Sequence, residues 1–122
     1  MNDEQKNPLI EWCNKQGNTC LRFTFKGTFR ESEALVAVKE WKEHFASMKG
    51  EKILLIWQCL GMKGYEPMAR SLWQTAIKEL KPQIECIWLV TDSHVIQAGA
   101  AIMSLFTSFP IKTVKTEEKI LL

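Results

Sequence analysis

The run Ile53–Trp57, ILLIW, sets the strongest limit on what this chain can become. It is bounded by Glu51-Lys52 before and Gln58 after, and it has no polar face to turn to water. A strand of this kind needs a neighbour on each edge and cover on each face, as a central strand of an α/β sheet has. The stretch that follows, Gln58–Pro67, carries Gly61 and Gly64 and reads as a loop. It leaves the carboxyl end of the strand, where open α/β sheets place their binding sites.

The other segments arrange themselves around this unit. Residues 1–8 are polar and predict a disordered lead, followed by one domain over residues 9–122. Leu9–Cys13 predicts a short strand, and NKQGN (Asn14–Asn18) has turn chemistry. In Thr19–Phe29, Leu21, Phe23 and Phe25 alternate with Arg22, Thr24 and Lys26. That alternation predicts a strand with one solvated face, paired with Leu9–Cys13 in an antiparallel hairpin. Between Thr28 and Gly50, Leu35, Val38, Trp41, Phe45 and Met48 repeat every three to four residues, giving a first helix capped by Thr28 or Ser32. A second helix is predicted from about Tyr65 to Leu80, with Pro67 in its first turn. Ile84–Val90 is another near-continuous apolar strand, and Thr91-Asp92-Ser93 offers a cap for the next helix. That third helix, Val95–Phe106, has only Gln97 and Ser104 as polar residues, so it is expected to be covered on more than one side, by a partner subunit or the C-terminal tail. Ile111–Val114 predicts an edge strand, and Ile120–Leu122 an apolar end that folds back onto the body. The fold class is therefore α/β: a mixed sheet with an N-terminal antiparallel hairpin followed by βα units.

Composition narrows the function classes. Sixteen basic and 14 acidic residues leave a net charge of +2, too small a field for a dedicated nucleic-acid binder. No apolar run approaches membrane-spanning length, and residues 1–8 lack the apolar stretch of a secretory leader. The four cysteines, Cys13, Cys20, Cys59 and Cys86, include no C-x-x-C pair and are expected to be buried, reduced thiols in a cytoplasmic protein.

Few residues carry chemistry. His44 is expected on a helix surface. Asp92, Ser93 and His94 contain the residue types of a nucleophilic triad, but chain neighbours rarely converge as one, and a helix-capping turn explains them. No metal-ligand spacing is present, and Gly61-Met62-Lys63-Gly64 lacks the pattern of a phosphate-binding loop. Lys63 and Arg70 lie near the start of the second helix, where an anion could be held. Trp12, Trp41, Trp57, Trp73 and Trp88 fall on strands and apolar helix stripes and predict core packing.

The segment KILLIWQCLGMKGYEPMARSLW resembles the signature region of STAS-type domains, as in bacterial anti-sigma-factor antagonists. IECIWLVTDSHVIQAGAAIMSLFTSFPIKTVKTEEKILL resembles the C-terminal half of the SpoIIAA-like branch. The resemblance implies helices mainly on one face of the sheet and a non-enzymatic interaction or regulatory module. Those antagonists carry a phosphorylatable serine at the start of the helix after the central strand. Here Met62–Pro67 holds neither serine nor threonine, so the phosphoswitch is not carried over. The expected contact residues are Met62, Lys63, Tyr65, Glu66 and Arg70, with Asp92, Ser93 and His94 beside them. The expected partner is a protein or a small ligand, with a homodimer also expected and no nucleic acid, cofactor or integral membrane segment. The alternative function is binding of a small apolar ligand or lipid, motivated by the apolar third helix and the tryptophans.

Overall fold

The computed structural model describes residues 6–105, 107 and 109–122. Within them a five-stranded sheet runs in the order β1-β2-β3-β4-β5. β1 (Leu9–Lys15) and β2 (Asn18–Phe29) pair antiparallel, and β3 (Ile53–Tyr65), β4 (Ile84–Val90) and β5 (Ile111–Val114) are added in parallel. The helices are α1 (Glu31–Ser47), α2 (Pro67–Leu80) and α3 (His94–Ser104). The hairpin closes on Gln16 (φ 53°) and Gly17 (φ 84°), two left-handed residues whose twist suits a tight antiparallel turn. Strand order in space equals strand order in the chain. With every crossover of the usual right-handed sense, all three helices fall on one face.

That face carries the main core. Leu21, Phe23, Phe25 and Phe29 of β2 and Ile53, Leu55, Trp57 and Cys59 of β3 point into it, against Trp41 and Phe45 of α1 and Trp73 of α2. Trp73 lies at its centre, with ring centroids 5.0 Å from Trp41, 5.2 Å from Phe29 and 5.7 Å from Phe23. The contacts with Phe29 and Phe23 are edge-to-face, and contacts of that kind contribute about 0.5–1.5 kcal/mol each beyond the area they bury. The prediction that the tryptophans are core holds for Trp41, Trp57, Trp73 and Trp88; Trp12 is 36% exposed.

The opposite face is not left to water. Cys20, Leu54, Ile56, Cys86, Trp88 and Val90 form a second cluster, closed by Ile120, which is fully buried. The C-terminal tail therefore packs against the sheet, on the side away from α3. The polar side chains of β2 and β3 tie it down: Arg22 Nη2 lies 2.7 Å and Gln58 Nε2 2.8 Å from the two oxygens of Glu117, with Lys15 at 3.6 Å. Gln16 donates to the carbonyl of Ile120 (2.7 Å) and accepts from the amide of Leu122 (3.0 Å). The face expected to be solvated is thus partly a tail-binding surface.

Other boundaries moved for physical reasons. Thr28 and Phe29 pair with Gly64 and Tyr65, so α1 starts at Glu31 with Arg30 as its cap residue, not Thr28 or Ser32. Glu33 reaches back to accept from the Arg30 amide (2.9 Å). In α3, Ile96, Gly99 and Ala100 are buried while Val95, Ile102 and Leu105 are exposed, so the described residues of this chain, the C-terminal tail included, cover the helix on one side. Phe106, its expected last residue, lies outside the described residues. Asn7 and Pro8 are buried, within the segment expected to be a disordered lead. Asn7 bonds the backbone of Lys26 through both its amide groups, at 2.7 and 2.9 Å.

Candidate functional site

The stretch read as a loop after the central strand is strand. β3 continues to Tyr65, paired with β2 through two register shifts, between Thr24 and Lys26 and between Gly27 and Thr28. The glycines serve these irregularities. Gly27 has a φ of 56°, and a Cβ on Gly61 would stand 3.2 Å from the Phe25 carbonyl oxygen. β4 pairs with β3 only as far as Gln58, so Cys59–Tyr65 runs past it. Cover on the helix side comes from α2 and α3.

These elements line a half-open cavity of about 50 Å³, bordered by Phe25, Phe29, Trp57, Cys59, Met62, Tyr65, Arg70, Trp73, Leu89, Ile96, Gly99, Ala100 and Met103. Its wall is almost wholly apolar, although Tyr65 and Arg70 contribute to it. Gly99 allows the close approach of Tyr65: a Cβ there would stand 2.5 Å from the Tyr65 hydroxyl.

Three of the expected contact residues, Met62, Tyr65 and Arg70, meet at this cavity. Lys63 alternates to the exposed side of the strand. Glu66 has another task. Its carboxylate accepts from the Glu31 amide (2.8 Å) and so caps α1, while its own amide extends the β2–β3 ladder by donating to the Phe29 carbonyl (2.9 Å). Asp92, Ser93 and His94 form the capping turn of α3. Ser93 Oγ accepts from the Ile96 amide (3.3 Å), and Thr91 Oγ1 accepts from the Ser93 amide (3.1 Å). Asp92 and His94 are exposed. None of the three lines the cavity.

Sequence reasoning missed Cys59, Gly99 and Met103 as cavity residues. The alternation of Trp57 and Cys59 could have found the first, had the strand been extended. It also missed the clasp around Glu117. Burial alone would raise the Glu117 carboxyl, but the Gln58 hydrogen bond and the Arg22 and Lys15 cations hold it below its ordinary value. All four cysteines are free thiols. Burial pushes Cys59 up to about 12 and Cys20 up to about 11, so neither is a ready nucleophile at neutral pH. Among the described residues, no group of three or more His, Cys, Asp or Glu side chains is placed to hold a metal ion. Nor is any described helix long and apolar enough to cross a membrane.

No family model matches the sequence, and no curated protein matches it either. Among solved structures, the chain is similar to an uncharacterised protein of the DUF3478 family with a SpoIIAA-like fold from Shewanella loihica PV-4. The TM-score is 0.78 at 12% identity, over 97% of this chain and 94% of that one. Identity that low speaks to backbone alone, and the backbone agrees with the element order, the opening hairpin and the one-sided helices: the chain has a SpoIIAA-like α/β fold.

Proposed function

We propose that this chain is a non-enzymatic interaction or regulatory module that binds a protein partner, a second copy included, through the outer face of α3. The reading is carried by one observation. Val95 (61% exposed), Ile102 (42%) and Leu105 (79%) stand on the outside of a helix whose inner residues close the cavity. Scattered apolar residues on a surface need no explanation, but a row of them along one helix face is the pattern of a docking site. Asp92, Ser93 and His94 support the non-enzymatic part of the reading, because their geometry is that of a helix cap.

The test is a Val95→Glu, Ile102→Glu double variant. Both positions are exposed, so the fold is expected to tolerate it. Light scattering and affinity capture are run on both forms. The expected result is a dimer, or a stoichiometric partner, held by the natural chain and lost in the variant. A natural chain that is monomeric at high concentration and captures the same proteins as the variant would sink the proposal.

A second reading, small-ligand binding, is favoured by the cavity. Its size argues against a whole lipid. About 50 Å³ holds a few non-hydrogen atoms, far less than the roughly 300 Å³ or more of a site for a drug-sized ligand.

A further inference from the structure

We propose that Cys13 and Cys20 are a reversible redox pair, which a small disulfide such as oxidised glutathione converts into a cross-strand disulfide. The pair lies on the tail side of the sheet, away from α3 and the cavity.

Register brings the two thiols together. Cys13 of β1 and Cys20 of β2 stand directly opposite each other in the antiparallel hairpin. Opposite partners point to the same face, and Cys13 packs against the cluster that contains Cys20. The thiols are close enough to share a hydrogen bond. Cα atoms of opposite residues are about 4.5–5.5 Å apart, inside the roughly 4.4–6.8 Å that a disulfide spans.

The other cysteines are out of reach. Cys20 and Cys86 both pair with Leu54, from opposite edges of β3. That puts two strand spacings, about 9.5 Å, between them, too far for a bridge. Cys13 lies one strand farther still, and Cys59 points to the helix face. Within the chain, each of the two has the other as its partner.

Their exposure divides the chemistry. Cys13 is partly exposed and Cys20 is fully buried, so a reagent meets Cys13 first. The Cys13 thiolate attacks one sulfur of oxidised glutathione, forming a mixed disulfide and releasing one glutathione thiolate. The Cys20 thiolate then attacks the Cys13 sulfur, closing the protein disulfide and releasing the second glutathione. Two electrons and two protons pass from the protein thiols to the reagent. Burial raises both thiols; at Cys13 the Arg22 guanidinium works against it, and the Glu117 and Glu11 carboxylates add to it. The thiolate is therefore scarce at neutral pH, and exchange is faster at pH 8. Cβ atoms across a strand pair are about 4.5–5.5 Å apart, wider than the roughly 3.8 Å of a relaxed disulfide. Closing the bridge tightens the hairpin, and a strained bridge is readily reduced.

The test holds the natural chain at pH 8 in mixtures of reduced and oxidised glutathione, quenches it by alkylation, and reads a tryptic digest by mass spectrometry. Lys15 lies between the two cysteines, so the disulfide shows as residues 7–15 joined to residues 16–22. That linked pair is expected as the main oxidised product, and excess reduced glutathione is expected to open it. Cys20→Ser is expected to stop at the mixed disulfide on Cys13, which does not build up in the natural chain. Cys13→Ser is expected to slow the reaction of Cys20 by about tenfold or more, because its thiol is buried. The natural chain decides the linkage even if either variant fails to fold. Resistance to a large excess of oxidised glutathione, glutathione left on either cysteine as the final product, or a link to Cys59 or Cys86 would overturn the proposal. So would a linked product that excess reduced glutathione does not open.

Discussion

Replacing Ile120 with alanine tests whether the C-terminal tail completes the second core. Ile120 is fully buried against Cys20, Leu54, Ile56, Cys86, Trp88 and Val90. The substitution removes three carbons, worth about 0.8 kcal/mol each in transfer free energy, and leaves a cavity if the surroundings do not collapse. A site in mid-chain would lose about 2–5 kcal/mol. Here the loss has a ceiling, because a tail can lift off while the sheet stays folded, and no more is lost than docking supplied. We expect about 2–3 kcal/mol. For 122 residues the unfolding entropy is about 0.26 kcal/mol/K, so Tm falls by about 8–12 °C in scanning calorimetry. Leu121→Ala is the control from the same tail: Leu121 is 79% exposed and its change should be within about 0.5 kcal/mol. An Ile120→Ala shift below about 3 °C, or one equal to that of Leu121→Ala, would refute the assignment of Ile120 to the core.

The other predictions concern single contacts. The Glu117 pKa is lowered in the folded state, so its contribution is present above the ordinary carboxylate range and is lost as pH falls through the lowered value. Urea melts from pH 7 to pH 3 should show Glu117→Gln less stable at neutral pH, with the difference vanishing in acid; a constant difference would contradict this. Gly99→Ala puts a methyl against the Tyr65 hydroxyl and should cost about 1–3 kcal/mol by chemical denaturation. Adding Tyr65→Phe should recover part of that loss, and strict additivity of the two would count against the contact. Glu66→Ala removes an acceptor from the α1 amides and should cost about 0.5–2 kcal/mol, measured the same way. At pH 8, a thiol reagent should modify Cys59 in the native protein only on the timescale of unfolding, whereas all four cysteines should react at once in denaturant.

Elements whose pattern is set by burial on the spot were readable. Ile84–Val90 and Ile111–Val114 were expected with the bounds they have, and the alternation of Leu21, Phe23 and Phe25 set the helix-facing side of β2. What escaped was set at long range. Arg22 reads as solvated because its neighbours in sequence alternate, yet its partner Glu117 is 95 residues away. Glu66 reads as a surface contact at the start of α2, yet its carboxylate serves another helix, 35 residues earlier. Gly61 and Gly64 read as a loop because glycine most often marks turns. Here Gly61 closely approaches the Phe25 carbonyl, and both glycines lie inside a strand, next to its register shifts against β2. The candidate site was half visible for the same reason. Met62, Tyr65 and Arg70 are near one another in sequence, and the α3 wall that completes the cavity is not.

The cavity follows from a mismatch in strand length. β3 spans 13 residues and β4 only seven, and their pairing ends at Gln58 and Val90. Beyond that point β3 has β2 on one edge and no β4 on the other. The space is roofed on the helix side by α3, which enters through the Ser93 cap directly after β4 ends. A helix with large side chains on its inner face would fill such a space. α3 instead presents Gly99 and Ala100 there, and the small residue at Gly99 lets the Tyr65 ring lie against the helix. Cavity size is therefore set by two quantities that can be changed separately, the overhang of β3 and the side-chain volume at positions 99 and 100. Ala100→Leu should fill the space from the helix side, and so should abolish entry of a small apolar probe such as xenon. If that variant still took up xenon as the natural chain does, the side-chain volume at position 100 would not be what sets the size of the space.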